Sequence, residues 1–344
     1  MTNLLHPAKD LLYACAKAGG FFPWARRRLR DSLCILCYHG FSFADEHLFR
    51  PKLFLTPELF RQRIQYLKRA GYAALPLDEA ITRLRRGRLG GKELVITIDD
   101  GFHSVAALAA PILKEAGFTA TIYVTTYYVR CNNPIFRLAM QYLFWKTSRD
   151  AMDCTGLPPE DDAILSTRGD RGEALLWRLI DFGETRLDET GRMALAREVG
   201  RRLAVDFDEL VASRRLSLLS EEEVTDLARQ GFDIQLHTHR HRLPEDSSEA
   251  RRELRENRAV LEPLSRTPLT HLCYPSGVWS RDLWPVLAAE GVATATTCDP
   301  GRNYASTPPL GLKRFLDFQT ISPIVFEAEV SGFSEVLRRL ARRT

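Results

Sequence analysis

The sequence predicts an α/β fold in which parallel strands are covered by helices. The first observation is that, after residue 33, short β-rich runs alternate with helical patterns along most of the chain. The second is that helix starts and stops separate these runs: Thr56 and Pro57 open a helix, and Gly71 ends it. Repeated β–α alternation of this kind indicates parallel strands with helices packed outside them.

The elements follow one another in a regular order. Strands are predicted at 32–38, 93–98, 119–125, 232–236, 269–274 and 292–297. Helices are predicted from 57 to the stop at 71, and at 78–86, 104–116, 221–231, 247–264 and 280–290. Residues of about 130–215 interrupt this rhythm and are rich in Arg, Asp and Glu. They predict a mostly helical insertion, which is either a substrate-recognition lid or a structural elaboration without substrate contact.

Composition and charge exclude several classes of protein. The chain has 344 residues, 45% of them hydrophobic and 27% charged, which is typical of a globular protein. No apolar run approaches the roughly 20 residues that a membrane-spanning helix needs. Seven cysteines spread through a chain of this size predict reduced thiols rather than a disulfide scaffold, and Cys34, Cys37 and Cys273 are expected to pack in the core.

The net charge of +4 is unevenly placed. Residues 1–33 and residues 337–344 each carry a net charge of +4, which leaves −4 for the rest of the chain. A slightly acidic body argues against a nucleic-acid-binding protein, which would carry a basic stripe on its folded domain. We therefore predict no nucleic-acid partner.

The N-terminal segment, residues 1–32, mixes basic residues with the apolar and aromatic residues Leu11, Leu12, Tyr13, Phe21, Phe22 and Trp24. Asp10 and Lys17 interrupt it, so it does not look like a secretory signal. Leu11, Leu12 and Trp24 stand among the basic residues, which is typical of a helix lying on an anionic membrane surface. The alternative is a helix packed on the domain with a solvated basic end. A second basic helix is predicted at 326–344.

Four polar clusters each follow a predicted strand. They are Tyr38-His39-Gly40, Asp99-Asp100-Gly101, His237-Thr238-His239-Arg240-His241 and Tyr274-Pro275-Ser276-Gly277. In parallel α/β folds, functional sites gather at the carboxyl ends of the strands. Four clusters in the same structural position predict one shared site.

The chemistry of the clusters indicates a metal. Adjacent carboxylates such as Asp99 and Asp100 repel each other unless a proton or cation intervenes. If the segment of His237 and His241 turns helically, both imidazoles lie on one face, because they are four residues apart. Two imidazoles and one carboxylate make a three-ligand site with an open position, the usual arrangement of catalytic zinc.

The chain contains ITIDDGF at 96–102, HTHRH at 237–241 and CYPSG at 273–277, in this order. These three motifs resemble those of the polysaccharide deacetylases, the NodB-homology or carbohydrate esterase 4 family, and the segment 111–124 is similar to the family's usual continuation of the first motif. The resemblance covers about 33–130 and 216–320. It implies a distorted (β/α)7 barrel over 33–325, interrupted by the insertion, and removal of N- or O-acetyl groups from sugars with a divalent metal, often Zn2+.

The resemblance also implies a role for each matching residue. Asp99 matches the family's general base, and the backbone N–H of Tyr274 matches its oxyanion donor. The residues that match the metal ligands are Asp100, His237 and His241. His239 lies between the ligands and is not expected to be one.

The chain departs from the family pattern in two places. The usual C-terminal Leu-x-His motif, which supplies the catalytic acid, is missing, because the last histidine is His271. Tyr38-His39 instead resembles a rearranged branch, including poly-N-acetylglucosamine deacetylases, in which the acid comes from an N-terminal motif; this implies His39 as general acid. The usual arginine of the third motif is also absent, and Arg314 looks like its substitute, able to pair with Asp99.

These expectations converge on a metal-dependent deacetylase of an N-acetylated glycan or lipid-linked sugar precursor in exopolysaccharide biosynthesis. The N-terminal composition places it in the cytoplasm, with peripheral association at the inner membrane face as an open option. Two alternatives stay open: a metal-dependent amidase acting on a small non-sugar amide or imide, and a non-catalytic glycan-binding relative. The intact set of Asp99, Asp100, His237 and His241 speaks against the last.

Overall fold

Twelve strands are found in the described part of a computed structural model, residues 5–131, 133–159 and 163–341. They are β1 (Cys34–Tyr38), β2 (Gly40–Phe41), β3 (Phe54–Leu55), β4 (Ala73–Ala74), β5 (Glu93–Ile98), β6 (Thr121–Val124), β7 (Ala151–Asp153), β8 (Ile164–Ser166), β9 (Asp233–Leu236), β10 (His271–Cys273), β11 (Thr294–Pro300) and β12 (Leu312–Leu316). The six predicted strands are all present, the one at 93–98 with the predicted ends and the others with slightly different ends. The short strands β2, β3, β4, β7 and β8 and the longer β12 were not predicted.

Fifteen α-helices lie in the same described ranges. They are α1 (Leu5–Ala18), α2 (Phe21–Arg28), α3 (Glu46–Phe49), α4 (Pro57–Arg69), α5 (Leu77–Arg85), α6 (Ala110–Ala116), α7 (Phe136–Lys146), α8 (Gly169–Arg186), α9 (Glu189–Leu203), α10 (Phe207–Ala212), α11 (Glu221–Arg229), α12 (Ser247–Leu261), α13 (Trp284–Ala289), α14 (Pro323–Ser331) and α15 (Phe333–Ala341). A π-helical turn, Val105–Ala109, precedes α6.

Seven parallel strands close into a barrel. Around the ring they are β1, β12, β11, β10, β9, β6 and β5, and pairing of β5 with β1 over five residues closes it. The short strand β4 adds to the beginning of β5. The ring strands are almost wholly buried, because helices cover their outer side and side chains fill the inside. This is the predicted distorted (β/α)7 barrel.

The helix α4 illustrates how local sequence signals produce these elements. The Thr56 hydroxyl accepts a hydrogen bond from the Leu59 amide at 3.3 Å, and Pro57 occupies the first turn of α4, where its missing N–H costs nothing. Phe60, Ile64 and Leu67 recur at helical spacing and are all buried. The predicted start, stop and apolar stripe of this helix are confirmed.

The backbone just after β1 is fixed by a close approach at Gly40. A Cβ atom at this position would lie 2.3 Å from the ring of Phe54, which is itself almost fully buried and has no room to move. Only glycine therefore fits, and its neighbour His39 is held at the carboxyl end of the strand.

Helices from both ends of the chain pack together; we call α1, α2, α14 and α15 the terminal helix layer. The ring of Phe333 lies 5.6 Å from that of Tyr13 and 5.3 Å from that of Phe22, and these rings form a separate buried cluster. The structure thus agrees with the alternative in which the N-terminal helix packs on the rest of the domain. Arg342 and Arg343 of the predicted C-terminal helix lie outside the described residues.

Contacts divide the chain into two compact units, Met1–Tyr127 with Glu221–Thr344, and Tyr128–Ser220. The second unit contains α7 to α10 and the antiparallel pair β7–β8. Buried residues on its helices, among them Phe136, Leu143 and Leu179, give it an apolar core of its own. Whether this segment is a substrate-recognition lid or a structural elaboration without substrate contact stays a prediction.

No helix within the described ranges combines the length and the apolar character needed to cross a membrane.

Candidate active site

The barrel brings the predicted site residues to one end. His39 follows β1, Asp99 and Asp100 follow β5, His237 follows β9 and Tyr274 follows β10. All of these strands are parallel, so their carboxyl ends meet at the same rim. Six of the predicted side chains form two adjacent groups, one built on Asp100 and the other on Asp99.

The first group consists of Asp100, His237 and His241. Asp100 Oδ1 lies 3.1 Å from His237 Nε2 and 3.2 Å from His241 Nε2. The three atoms that could bind a cation all lie within 4.8 Å of one another. Two imidazole nitrogens and a carboxylate oxygen facing a common point are the donor set that zinc prefers.

The hydrogen bonding of His237 shows why this group suits a cation. Its Nδ1 lies 2.8 Å from the Cys273 carbonyl oxygen, so Nδ1 carries the proton and Nε2 faces the Asp100 carboxylate. Burial lowers the pKa of His237, but the hydrogen bond to Asp100 and the charges of both aspartates outweigh it and raise this pKa overall. The carboxylate therefore draws positive charge to the place where a metal ion would bind.

The two histidines meet through an unusual backbone rather than a helix, which corrects the helical expectation for this segment. Residues 237–241 contain no helical turn, and Thr238 and His241 have φ values of 63° and 55°. Asp100 and Ser276, in two other motifs of the site, also have positive φ. Non-glycine residues in this region store strain and cluster at functional sites, so strained loops position these groups.

Asn257, on α12, holds the loop from behind and was not predicted. Its Oδ1 accepts a hydrogen bond from the His237 amide at 3.0 Å, and its Nδ2 donates to the Val124 carbonyl and to the Thr126 hydroxyl. The side chain is fully buried and all its bonds are made. Asn257 thus joins the ends of β6 and β9 and orients the backbone of a candidate ligand.

The second group is built on Asp99. Arg314 grips both carboxylate oxygens, with Nη1–Oδ1 and Nη2–Oδ2 distances of 2.7 and 2.8 Å. Arg314 is fully buried and also donates through Nε to the Thr297 carbonyl. Burial raises the pKa of Asp99, but the charges of Arg314 and His39 outweigh it and hold this pKa well below the usual range.

Two thiols complete the surroundings of Asp99. Cys37 Sγ and Cys273 Sγ lie 3.4 and 3.3 Å from Asp99 Oδ2. Burial raises the pKa of both thiols well above the ordinary value, so they stay protonated and donate weakly to the carboxylate. The expectation that Cys37 and Cys273 pack in the core is confirmed, and both thiols in addition contact a site residue. All seven cysteines are free thiols.

His39 faces Asp99 from the solvent side. Its Nε2 lies 3.7 Å from Asp99 Oδ2, and 19% of its side chain is exposed, against 3% for Asp99. The structure thus places the predicted acid beside the predicted base.

The backbone amide of Tyr274 is already engaged. It donates to the Thr296 carbonyl at 3.1 Å as part of the pairing of β10 with β11. Pro275 has no N–H, and Gly277 donates to the Tyr274 carbonyl. The Ser276 amide is the one N–H of 274–277 that finds no acceptor within the described parts of the chain.

His239 is directed away from the candidate cation group, and the expectation that it is not a metal ligand stays a prediction. Its Nδ1 lies 2.8 Å from the Thr126 hydroxyl, and its Nε2 lies 3.9 Å from a carboxylate oxygen of Glu256.

Among the residues that the structure describes, two other sets of side chains are close enough together to hold a metal, but each contains an atom that is already engaged in a stronger contact. They are Cys37 with His39 and Asp99, and Asp99 with His237 and Cys273. Each would need an Asp99 oxygen that Arg314 already grips, and a thiolate whose formation burial opposes. The set around Asp100 has neither obstacle, and we take it as the candidate metal centre.

The comparisons with known proteins agree with the motifs. Residues 194–295 match the family model of polysaccharide deacetylase, a range that includes the second and third motifs. The predicted resemblance to the polysaccharide deacetylases is confirmed. A search of curated proteins gave no significant match.

Several solved structures share the polysaccharide deacetylase-like fold. The deacetylase PplD of Streptococcus pyogenes, solved with acetate, is 17% identical over 87% of this chain and 98% of its own, with a TM-score of 0.58. IcaB of Ammonifex degensii is 16% identical over 88% of this chain and 97% of its own, with a TM-score of 0.52. A de-N-acetylase of Aggregatibacter actinomycetemcomitans is 11% identical over 87% of this chain and 99% of its own, with a TM-score of 0.53. At these identities the likeness is one of fold.

The grip of Arg314 on Asp99 gives a testable consequence for stability. We expect Arg314→Met to lower the free energy of unfolding by about 3–5 kcal/mol, because it leaves a buried carboxylate without its counter-charge. Adding Asp99→Asn to Arg314→Met should restore part of the loss. Urea unfolding of the single and double variants measures both effects.

The matched control is Arg83→Met, which removes an arginine from an exposed pair with Glu79 and should change stability little. A double variant that is no more stable than Arg314→Met would contradict this account of the pair.

Proposed function

We propose that this protein is a zinc-dependent hydrolase that removes N-acetyl groups from a glycan. The observation that carries the proposal is that two carboxylates adjacent in sequence lie in different environments. Asp100 faces two imidazole nitrogens, and Asp99, its neighbour, is gripped by Arg314 and faces His39. Two adjacent acids with divided roles, one to hold a metal and one to accept a proton, suit metal-assisted hydrolysis.

Asp100, His237 and His241 would hold the metal. When bound, a divalent cation supplies a Lewis acid that lowers the pKa of a water molecule and polarises an acetyl carbonyl. The remaining chemistry belongs to side chains and amides of this chain.

Asp99 acts as the general base. Because Arg314 and His39 keep its pKa low, Asp99 is ionised at neutral pH and can accept a proton, but it is a weak base. A weak base removes a proton efficiently only from a donor that is itself made acidic. The environment of Asp99 therefore suits a metal-dependent reaction better than a metal-free one.

His39 acts as the general acid, and the Ser276 amide supports the developing negative charge. When an amide is hydrolysed, its nitrogen leaves as an amine only if it receives a proton. His39 is the partly exposed imidazole that faces Asp99 and can supply this proton. For the oxyanion we propose Ser276 in place of Tyr274, because the Tyr274 N–H is committed to Thr296.

Three observations favour an N-acetylated glycan over a small amide. The family model that matches the chain is that of polysaccharide deacetylase. Proteins of similar fold include a deacetylase solved with acetate and a de-N-acetylase. Trp279, in the loop after β10, stacks on Trp284 of α13 at 5.9 Å; both rings are partly exposed, and aromatic rings are a common surface for sugars. A role in exopolysaccharide biosynthesis, a lipid-linked substrate and a cytoplasmic location at the inner membrane face stay predictions.

The function is tested by acetate release from N-acetylglucosamine oligomers. We expect release that EDTA abolishes and zinc restores. His237→Ala should lose both tight zinc binding and activity, because it removes a ligand. Asp99→Asn should keep zinc binding but lower kcat by about 10²–10⁴, because the base is gone.

His239→Ala is the matched control, since His239 lies outside the candidate metal group; it should keep zinc and activity. Substantial activity in Asp99→Asn would remove this residue as the base. Tight zinc binding without any release from glycans would move the proposal toward a small amide.

The role of His39 is tested by comparing two kinds of substrate. We expect His39→Gln to lower hydrolysis of an N-acetyl glycan by at least about 100-fold, because the amine needs a proton to leave. Hydrolysis of 4-nitrophenyl acetate should fall much less, because 4-nitrophenolate leaves without one. Equal losses on amide and ester, measured as kcat/KM, would contradict an acid role.

A further inference from the structure

The helix α1 presents an apolar face to solvent. One continuous strip along this helix is exposed and carries no charged residue. Within it, Leu11 is 67% exposed and Leu12 is 57% exposed. The strip consists of Ala8, Leu11, Leu12, Ala14, Cys15 and Ala18. An amphipathic helix in a globular protein normally turns its apolar side inward, so this orientation needs an explanation.

The polar residues of α1 attach the helix to the rest of the unit. Lys17 Nζ lies 2.5 Å from a carboxylate oxygen of Glu327, and the Ser322 hydroxyl donates to Asp10 at 2.9 Å. Both partners belong to α14 or the residue just before it. The outward direction of Leu11 and Leu12 is thus fixed by specific polar contacts on the opposite side of the helix.

The next helix continues the same character. Phe21 and Trp24 of α2 are each 51% exposed, and their rings meet edge to face at 6.4 Å. Phe22 and Ala25, which point the other way, are buried. Half-exposed Trp and Phe beside exposed leucines are typical of residues that enter the interface of a bilayer.

Basic residues border these aromatics. Arg27 and Arg28 are exposed, and no ion pair of either is found in the described parts of the chain. The side chain of Arg339, on α15, is 45% exposed and forms an ion pair with Glu335 at 3.2 Å. Its neighbour Leu340 is 55% exposed, and α15 packs on α2. The surface therefore joins apolar side chains with positive charge.

We propose that the outer face of the terminal helix layer, formed by α1, α2 and the end of α15, docks on an anionic lipid bilayer. Apolar and aromatic side chains enter the interface, and the arginines bind acidic headgroups. Charge decides between a bilayer and a second copy of this chain, because a two-fold dimer would place the basic border against itself. This inference goes beyond the deacetylase activity and does not depend on it.

The docking surface lies away from the candidate active site. A Cβ at Gly91, just before β5, would lie 3.2 Å from the backbone at Arg26 and Arg30, so α2 sits where the barrel strands begin. The site residues follow the strands at the other end. Substitutions on the docking surface should therefore leave hydrolysis of soluble substrates unchanged.

Flotation of the full chain with vesicles tests the proposal. We expect the protein to float with phosphatidylcholine vesicles that contain phosphatidylglycerol, but not with phosphatidylcholine alone, and binding should weaken as salt rises. L11E/L12E should bind at least about 100-fold more weakly, since both leucines leave the interface and two acids face the headgroups. R27E/R28E should lose the preference for phosphatidylglycerol.

The control is L48E, which changes an equally exposed leucine (64%) on α3 and should bind as the wild type does. Acetate release from soluble oligomers by each variant separates loss of docking from loss of the enzyme. Absence of wild-type flotation, or equal flotation of L11E/L12E, would overturn the proposal. A dimer that L11E/L12E converts to a monomer would identify the surface as an interface between copies instead.

Discussion

The buried ion pair between Asp99 and Arg314 is the interaction on which the site depends. Arg314 lies inside the barrel on β12, and its guanidinium reaches Asp99 after β5, the Thr97 hydroxyl within β5 and the Thr297 carbonyl on β11. A fully buried arginine is tolerable only because its donors are used and its charge is matched. The same contacts hold Asp99 ionised at a rim from which water is largely excluded.

Adjacent carboxylates acquire different roles because their surroundings differ. Asp99 is paired with the guanidinium of Arg314, which is a permanent part of the protein. Asp100 instead faces two imidazoles, and a metal ion could bind between these three groups. The positive φ of Asp100 turns the backbone between them. The strain is supported by the Asn257 hydrogen bonds that join the neighbouring strand ends and by the close contact that fixes Gly40 beside His39.

Much of this arrangement could be predicted from the sequence, because strand ends and motif residues have local signatures. The strand β5 is a continuous apolar run, and the site residues follow such runs. The strand β12 was missed because Lys313 and Arg314 interrupt its apolar pattern, and their compensation comes from distant residues. Asn257 was missed for the same reason, since nothing near it in sequence shows that the fold brings it to His237. Cys37 and Cys273 directly precede two of the site motifs, but the sequence does not show that their side chains face Asp99. The engagement of the Tyr274 amide depends on pairing with β11, which also lies beyond local sequence.

X-ray absorption spectroscopy of the zinc-loaded protein tests the central assignment most directly. The group of Asp100, His237 and His241 contains no sulfur, whereas each of the other two candidate groups contains a cysteine. The account predicts one zinc per chain surrounded by nitrogen and oxygen at about 2.0–2.1 Å, with imidazole scattering that is lost in His237→Ala. A sulfur neighbour at about 2.3 Å would place the metal on Asp99 instead, and would contradict the division of roles between the two aspartates.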